Sequence, residues 1–154
     1  MIPEMVERTG ISLQEISTYS PEETFRFGFE MGRSLSTPTN VLLWGDLGVG
    51  KTVLAKGIVC GLGVEDPDDI VSPSFTLIQE YRVQGRIIQH VDLYRIDNAR
   101  DIESLGLDEL LLDVGKYVIV EWAEKLPYSD IANAVHIYLR DLGEDRRSIR
   151  VEYP

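Results

Sequence analysis

The sequence predicts an α/β fold of three layers, in which a mixed central sheet carrying antiparallel hairpins lies between helices. Three observations carry this expectation. The apolar run "NVLLW" (residues 40–44), bounded by Pro38 and Gly45, suits a strand buried on both faces, and a glycine loop and a helical segment follow it at once. A second apolar run, "YVIVEW", reads as another central strand, and two stretches of alternating residues fold back across turn signals. The 154 residues, 44% of them hydrophobic, suffice for one core, so residues 1–154 are expected to form a single domain.

Taken in order, "SPEETFRFGFEMGRSL" opens with Ser20, Pro21 at the first helical position and Glu23 three residues after the serine. This is a capping box with acidic residues at the positive end of the helix dipole, and it predicts a helix from about Pro21 to Leu35 packed through Phe25, Phe29 and Gly32. After the loop, "KTVLAKGIVCGLG" reads as a helix ending near Gly61 or Gly63. Apolar alternation from Phe75 to Tyr81 and from Arg86 to Tyr94, with Gly85 between, predicts a hairpin. "DIESLGLDELL" reads as a short helix broken at Gly106, and "AVHIYLR" with "SIRVEY" across "DLGED" as a second hairpin, His136 lying on an edge-like strand.

Composition narrows the function. A net charge of −11 repels nucleic acid phosphates and argues against autonomous RNA or DNA binding. The one cysteine, Cys60, permits neither an intrachain disulfide nor a thiolate zinc site, and reads as a small buried apolar residue in a reducing compartment. "MIPEMVERTG" has neither a basic start nor an apolar run, and no stretch approaches the ~20 apolar residues that span a bilayer. The expectation is a soluble, unprocessed, cytoplasmic protein without a membrane partner. No repeat, linker or low-complexity segment stands out.

"GDLGVGKT", residues 45–52, has the spacing G-x-x-x-x-G-K-[ST] of a phosphate-binding loop, and each residue type has a physical task. Gly45, Asp46, Leu47, Gly48, Val49 and Gly50 form the loop, whose glycines let consecutive N–H groups turn toward phosphate oxygens. The following helix adds its positive N-terminal end, Lys51 reaches the β and γ phosphates, and Thr52 ligates Mg²⁺. A glycine turn that merely precedes Lys-Thr is the bland alternative, but four matched positions arise by chance on the order of once in 10⁴ positions. The guanine-reading pattern N/T-K-x-D is absent from the chain, which favours ATP over GTP as the cofactor with Mg²⁺.

Such a site needs a carboxylate at the end of a neighbouring buried strand to hold the water shell of the Mg²⁺ that Thr52 ligates. Glu121, closing "VIVE", and Asp92, closing "IIQHVD", both qualify, against the alternative of solvated strand ends. Ser74 and Thr76 of "SPSFT" offer hydroxyls where related enzymes sense the γ-phosphate, although proline and serine there are also ordinary turn chemistry. His90 alternates with Asp92 and either serves it, by orienting a water or holding a carboxylate, or is a half-buried structural histidine. Trp122 covers the site or a partner surface, or packs in the core. Arg95 faces a carboxylate or a phosphate, whereas Arg146, Arg147 and Arg150 read as solvating a hairpin.

"GDLGVGKT", "SPSFTL", "HVDLYRI" and "VEWAEK", in this order and in a chain of this length, resemble the bacterial P-loop ATPase family TsaE, also called YjeE. The resemblance covers nearly the whole chain. It implies the P-loop NTPase fold and an ATPase required for the threonylcarbamoyladenosine modification at position 37 of tRNA. It also implies binding to TsaD, the transferase, and TsaB, its structural partner, with ATP hydrolysis resetting that complex between turnovers; tRNA is then met only through the complex. Carried over, Lys51 and Thr52 match the phosphate lysine and metal hydroxyl, Asp92 the hydrolytic aspartate of H-x-D-x-Y-R, and Glu121 the metal-linked glutamate. Trp122 matches the tryptophan beside the nucleotide, and Thr76 lies in the switch-like segment. Ser74 replaces a more usual threonine, and "STPTN" a more usual Gly-Asp. Two other readings remain open at this point. One is a small-molecule kinase, against which no Arg-rich lid is present. The other is a nucleotide-gated binding module in which hydrolysis is incidental.

Overall fold

The computed structural model describes residues 4–8, 11–46, 48–73, 76–127 and 131–154. Leu47, Ser74 and Phe75, each singled out above, lie outside the described residues. In chain order the elements are β1 (Glu4–Arg8), β2 (Ile11–Thr18), α1 (Pro21–Ser34), β3 (Asn40–Trp44), α2 (Lys51–Gly61), β4 (Ile78–Val83) and β5 (Arg86–Asp92). They continue with α3 (Ala99–Ser104), α4 (Leu107–Leu112), β6 (Tyr117–Glu121), β7 (Ala134–Gly143) and β8 (Arg146–Tyr153). One eight-stranded sheet in the order β1-β2-β8-β7-β3-β6-β5-β4 runs through the described residues.

The centre of the sheet is parallel, β7, β3, β6 and β5 pairing in the same direction, and both flanks are antiparallel. The mixed sheet with hairpins is therefore as expected. In β3 the residues alternate between two cores: Val41 and Leu43 pack with Leu54 and Ile58 of α2, while Leu42 packs with Ile102, Leu107 and Leu111 of the α3 and α4 side. This is why "NVLLW" shows no polar alternation, since both faces are covered.

Helix α1 starts at the expected cap. The Ser20 hydroxyl accepts from the Glu23 N–H at 3.1 Å, and the Glu23 carboxylate accepts from the Tyr19 N–H at 2.6 Å, one residue before the usual partner of a capping box. The helix crosses α2 backbone to backbone through Gly28 and Gly32 on one side and Gly57 and Gly61 on the other. A Cβ on any of the four would lie 2.1–2.5 Å from a carbonyl oxygen of the opposite helix. Phe25 and Phe29 are only half buried and flank this crossing. The break at Gly106 is real: its φ of 69° separates α3 from α4.

The residues before Ser20 form β1 and β2. The alternation of β2 is illegible in sequence because Gln14 and Ile16 share one face, Gln14 being satisfied there by the Tyr153 hydroxyl at 3.0 Å. His136 is not on an edge, because β7 lies between β3 and β8, and its register partner is the acidic Glu152. Trp44 Nε1 donates to His136 Nδ1 at 3.1 Å, and burial pushes the imidazole down from its usual value of 6.5, with Glu152 opposing. No helix among the described residues is long and apolar enough to cross a membrane.

Candidate functional site

Because β3, β6 and β5 are parallel neighbours, their carboxyl ends share one sheet edge, the place where open α/β sheets bind ligands. The loop after β3, Glu121 at the end of β6 and Asp92 at the end of β5 meet there, Asp92 and Glu121 being register partners. Gly48, Gly50, Lys51, Thr52, Asp92, Tyr94, Arg95, Glu121 and Trp122 line one cleft of about 430 Å³. Gly45, Asp46 and Val49 line a cavity on the other flank of the loop.

The loop takes the conformation its glycines permit. Gly48 and Gly50 have φ of 77° and 104°, values that side chains disfavour, and a Cβ on Gly48 would meet open space. These positions are thus kept for backbone shape and not for packing. Gly50 caps α2, so the loop runs directly into the positive end of that helix.

Lys51 is almost buried, at 4% exposure. Its ammonium donates to the carbonyls of Gly45 and Asp46, the latter at 2.8 Å, and stands 3.8 Å from the centre of the Trp122 ring. Burial pushes its pKa below 10.5, and the carboxylates of Glu124, Glu121, Asp46 and Asp92 oppose that shift. Trp122 reaches this position from a left-handed backbone (φ 62°, ψ 47°), a strained conformation for a large residue that turns the chain sharply after β6. Lys125 secures the same turn by donating to the carbonyls of Tyr94 and Ile96 at 2.5 and 2.9 Å.

Thr52 donates its hydroxyl to Glu121 Oε1 at 2.7 Å, and His90 Nε2 lies 2.6 Å from Glu121 Oε2. Asp92, 5% exposed, accepts from the Tyr94 N–H at 2.9 Å. Among the described residues no group of three His, Cys, Asp or Glu side chains is set to hold a metal.

The structure thus brings Lys51, Thr52, Asp92, Glu121 and Trp122 together with Gly48 and Gly50. Thr76 is exposed, accepts from the Gln79 side chain at 3.0 Å and is not among the residues lining the cleft. Two contributors had no signal in the sequence. Arg147, expected to solvate a hairpin, donates through Nε to the Val49 carbonyl at 2.9 Å and pairs with Asp141, so β8 braces the loop from a position 98 residues away. Glu124 accepts from the Gly45 N–H at 3.1 Å, which ties the turn after β6 to the start of the loop.

Comparison with known proteins adds a family. Residues 18–149 match the family described as "Threonylcarbamoyl adenosine biosynthesis protein TsaE". The chain is 42% identical over 111 residues to the tRNA threonylcarbamoyladenosine biosynthesis protein TsaE of Nostoc sp., a match spanning 70% of this chain and 66% of the Nostoc protein. It is 31% identical to the Haemophilus influenzae protein of the same name over 150 residues, 90% of each chain. Among solved structures, the crystal structure of Bacillus subtilus YdiB is similar with a TM-score of 0.68 at 31% identity, covering 93% of this chain and 86% of that one.

Proposed function

Because the chain belongs to the TsaE family, we propose that it is a Mg²⁺-dependent ATPase of tRNA threonylcarbamoyladenosine biosynthesis, residues 1–154 acting as one P-loop domain. The observation that supports this reading best is the Thr52 hydroxyl donating to the buried Glu121 carboxylate beside Lys51. That hydrogen bond commits the threonine proton to the protein and leaves the oxygen lone pairs for a cation.

The residues present suit a magnesium nucleotide. The Gly48 and Gly50 backbone makes a cradle without side chains, and Lys51 supplies positive charge to the phosphate oxygens. Mg²⁺, when bound, neutralises charge on the β and γ phosphates. Thr52 and Glu121 hold the metal side of the site, Asp92 orients the attacking water and accepts its proton, and Trp122 covers the lysine. The backbone of residues 45–50 and the N-terminus of α2 hold the phosphates.

In this reading the output of hydrolysis is mechanical. The protein works in the cytoplasm, binds the TsaD and TsaB complex, resets it between turnovers and meets tRNA only through it. The −11 charge agrees with that division of labour, since a polyanion is poorly suited to bind RNA on its own. Phosphate release from Mg²⁺-ATP by this chain, alone and with purified TsaD and TsaB, tests the proposal. A slow basal rate that rises with the partners is expected. Absence of phosphate release in both settings refutes the ATPase, and an unchanged rate with partners detaches it from the complex.

A further inference from the structure

We propose that His90 is a positioning residue that fixes Glu121, and through it the Thr52 hydroxyl, for the cation; this rests on the reading of the cleft as a Mg²⁺-nucleotide site. Glu121 is anchored at both oxygens, by Thr52 at 2.7 Å and by His90 at 2.6 Å, and the His90 and Glu121 side chains are 0% and 2% exposed. A carboxylate held at one oxygen only can rotate about its terminal torsion, which is broad, and would carry the threonine proton with it. Held at both, it has one orientation.

The second ring nitrogen decides how His90 holds it. Nδ1 is buried and has no hydrogen-bond partner among the described residues. A proton on Nδ1 would be a buried donor without an acceptor, whereas a proton on Nε2 points at a carboxylate oxygen. The geometry therefore points to Nε2 as the ring nitrogen that donates to Glu121. His90 lies two residues before Asp92, so one strand face delivers both the support of Glu121 and the hydrolytic aspartate. This matches the arrangement in which a histidine or carboxylate behind a metal ligand sets its orientation, and loss of such a support weakens metal affinity about 10- to 100-fold.

The test uses the full chain and calorimetric titration with ADP, once with Mg²⁺ and once with a chelator; the ratio of the two affinities measures how strongly metal and nucleotide couple. His90→Gln places an amide N–H near the Nε2 position, whereas His90→Asn places it near Nδ1, out of reach of Glu121. The expected result is a coupling ratio that falls tenfold or more in His90→Asn, stays within about threefold of the parent in His90→Gln, and leaves metal-free ADP affinity unchanged in both. Thermal melting of the two polar variants controls for folding. A parental coupling ratio in His90→Asn, equal loss in both variants, or equal loss with and without metal overturns the role and leaves only a structural histidine. If the parent protein itself shows no Mg²⁺-dependent nucleotide binding, the proposed function fails along with it.

Discussion

Substitution of Gly57 by alanine puts the α1–α2 crossing to a quantitative test. A Cβ at this position would lie 2.3 Å from the Phe25 carbonyl oxygen, where ordinary contact begins at 3.4 Å. The obstacle is backbone in the middle of a helix, so it cannot swing away as a side chain can, and relief requires the helices to part by roughly 1 Å. Overpacking costs about 1–3 kcal/mol, and a rigid obstacle belongs at the upper end. The alanine returns about 1 kcal/mol through its better helix propensity. The net expectation is a loss of about 2 kcal/mol, or about 4–8 °C in melting temperature for a chain of this size. Urea and thermal unfolding followed by far-ultraviolet circular dichroism measure it. Because α2 begins with Lys51 and Thr52, nucleotide affinity should fall with stability. A Gly57→Ala protein that unfolds at or above the parent's midpoint, as propensity alone would give, refutes backbone contact at the crossing.

Lys51→Met should abolish tight ATP binding in a calorimetric titration without lowering the melting temperature, since burial already disfavours its charged form; retained affinity would remove the lysine from the site. Asp92→Asn should keep nucleotide affinity while slowing phosphate release by roughly 10²-fold or more, and parallel losses in both assays would make the residue structural. Burial depresses the His136 pKa below 6.5, so between the depressed value and 6.5 the unfolded chain binds more protons. The stability this group contributes is therefore complete above about 6.5 and is lost as pH falls, and His136→Gln should flatten that part of a stability profile measured by urea unfolding. Arg147→Met should cost about 1–3 kcal/mol by stranding the Val49 carbonyl, read as a lower urea midpoint, and no change would show that the brace contributes nothing.

Features whose causes are local could be read directly from the chain. The loop after β3 is legible because its glycines stand at fixed offsets from a lysine and a hydroxyl, and Gly48 and Gly50 take the positive φ that such a spacing predicts. The start of α1 is legible because Ser20 and Glu23 satisfy backbone groups three or four residues away, and the α3–α4 break because a glycine takes a φ of 69° without strain. Asp92 and Glu121 stood out as acids ending apolar runs. Tertiary structure alone decided that these two strand ends are register partners, that Arg147 reaches Val49, and that β7 is interior. The glycine pairs show the boundary most clearly. Their spacing, Gly28 to Gly32 and Gly57 to Gly61, is printed in the chain, but that the two pairs face each other is not. Local pattern reports what a segment can do with its own backbone and one buried face. Which surfaces meet depends on the joint packing of segments distant in the chain, and no single window of sequence contains that information.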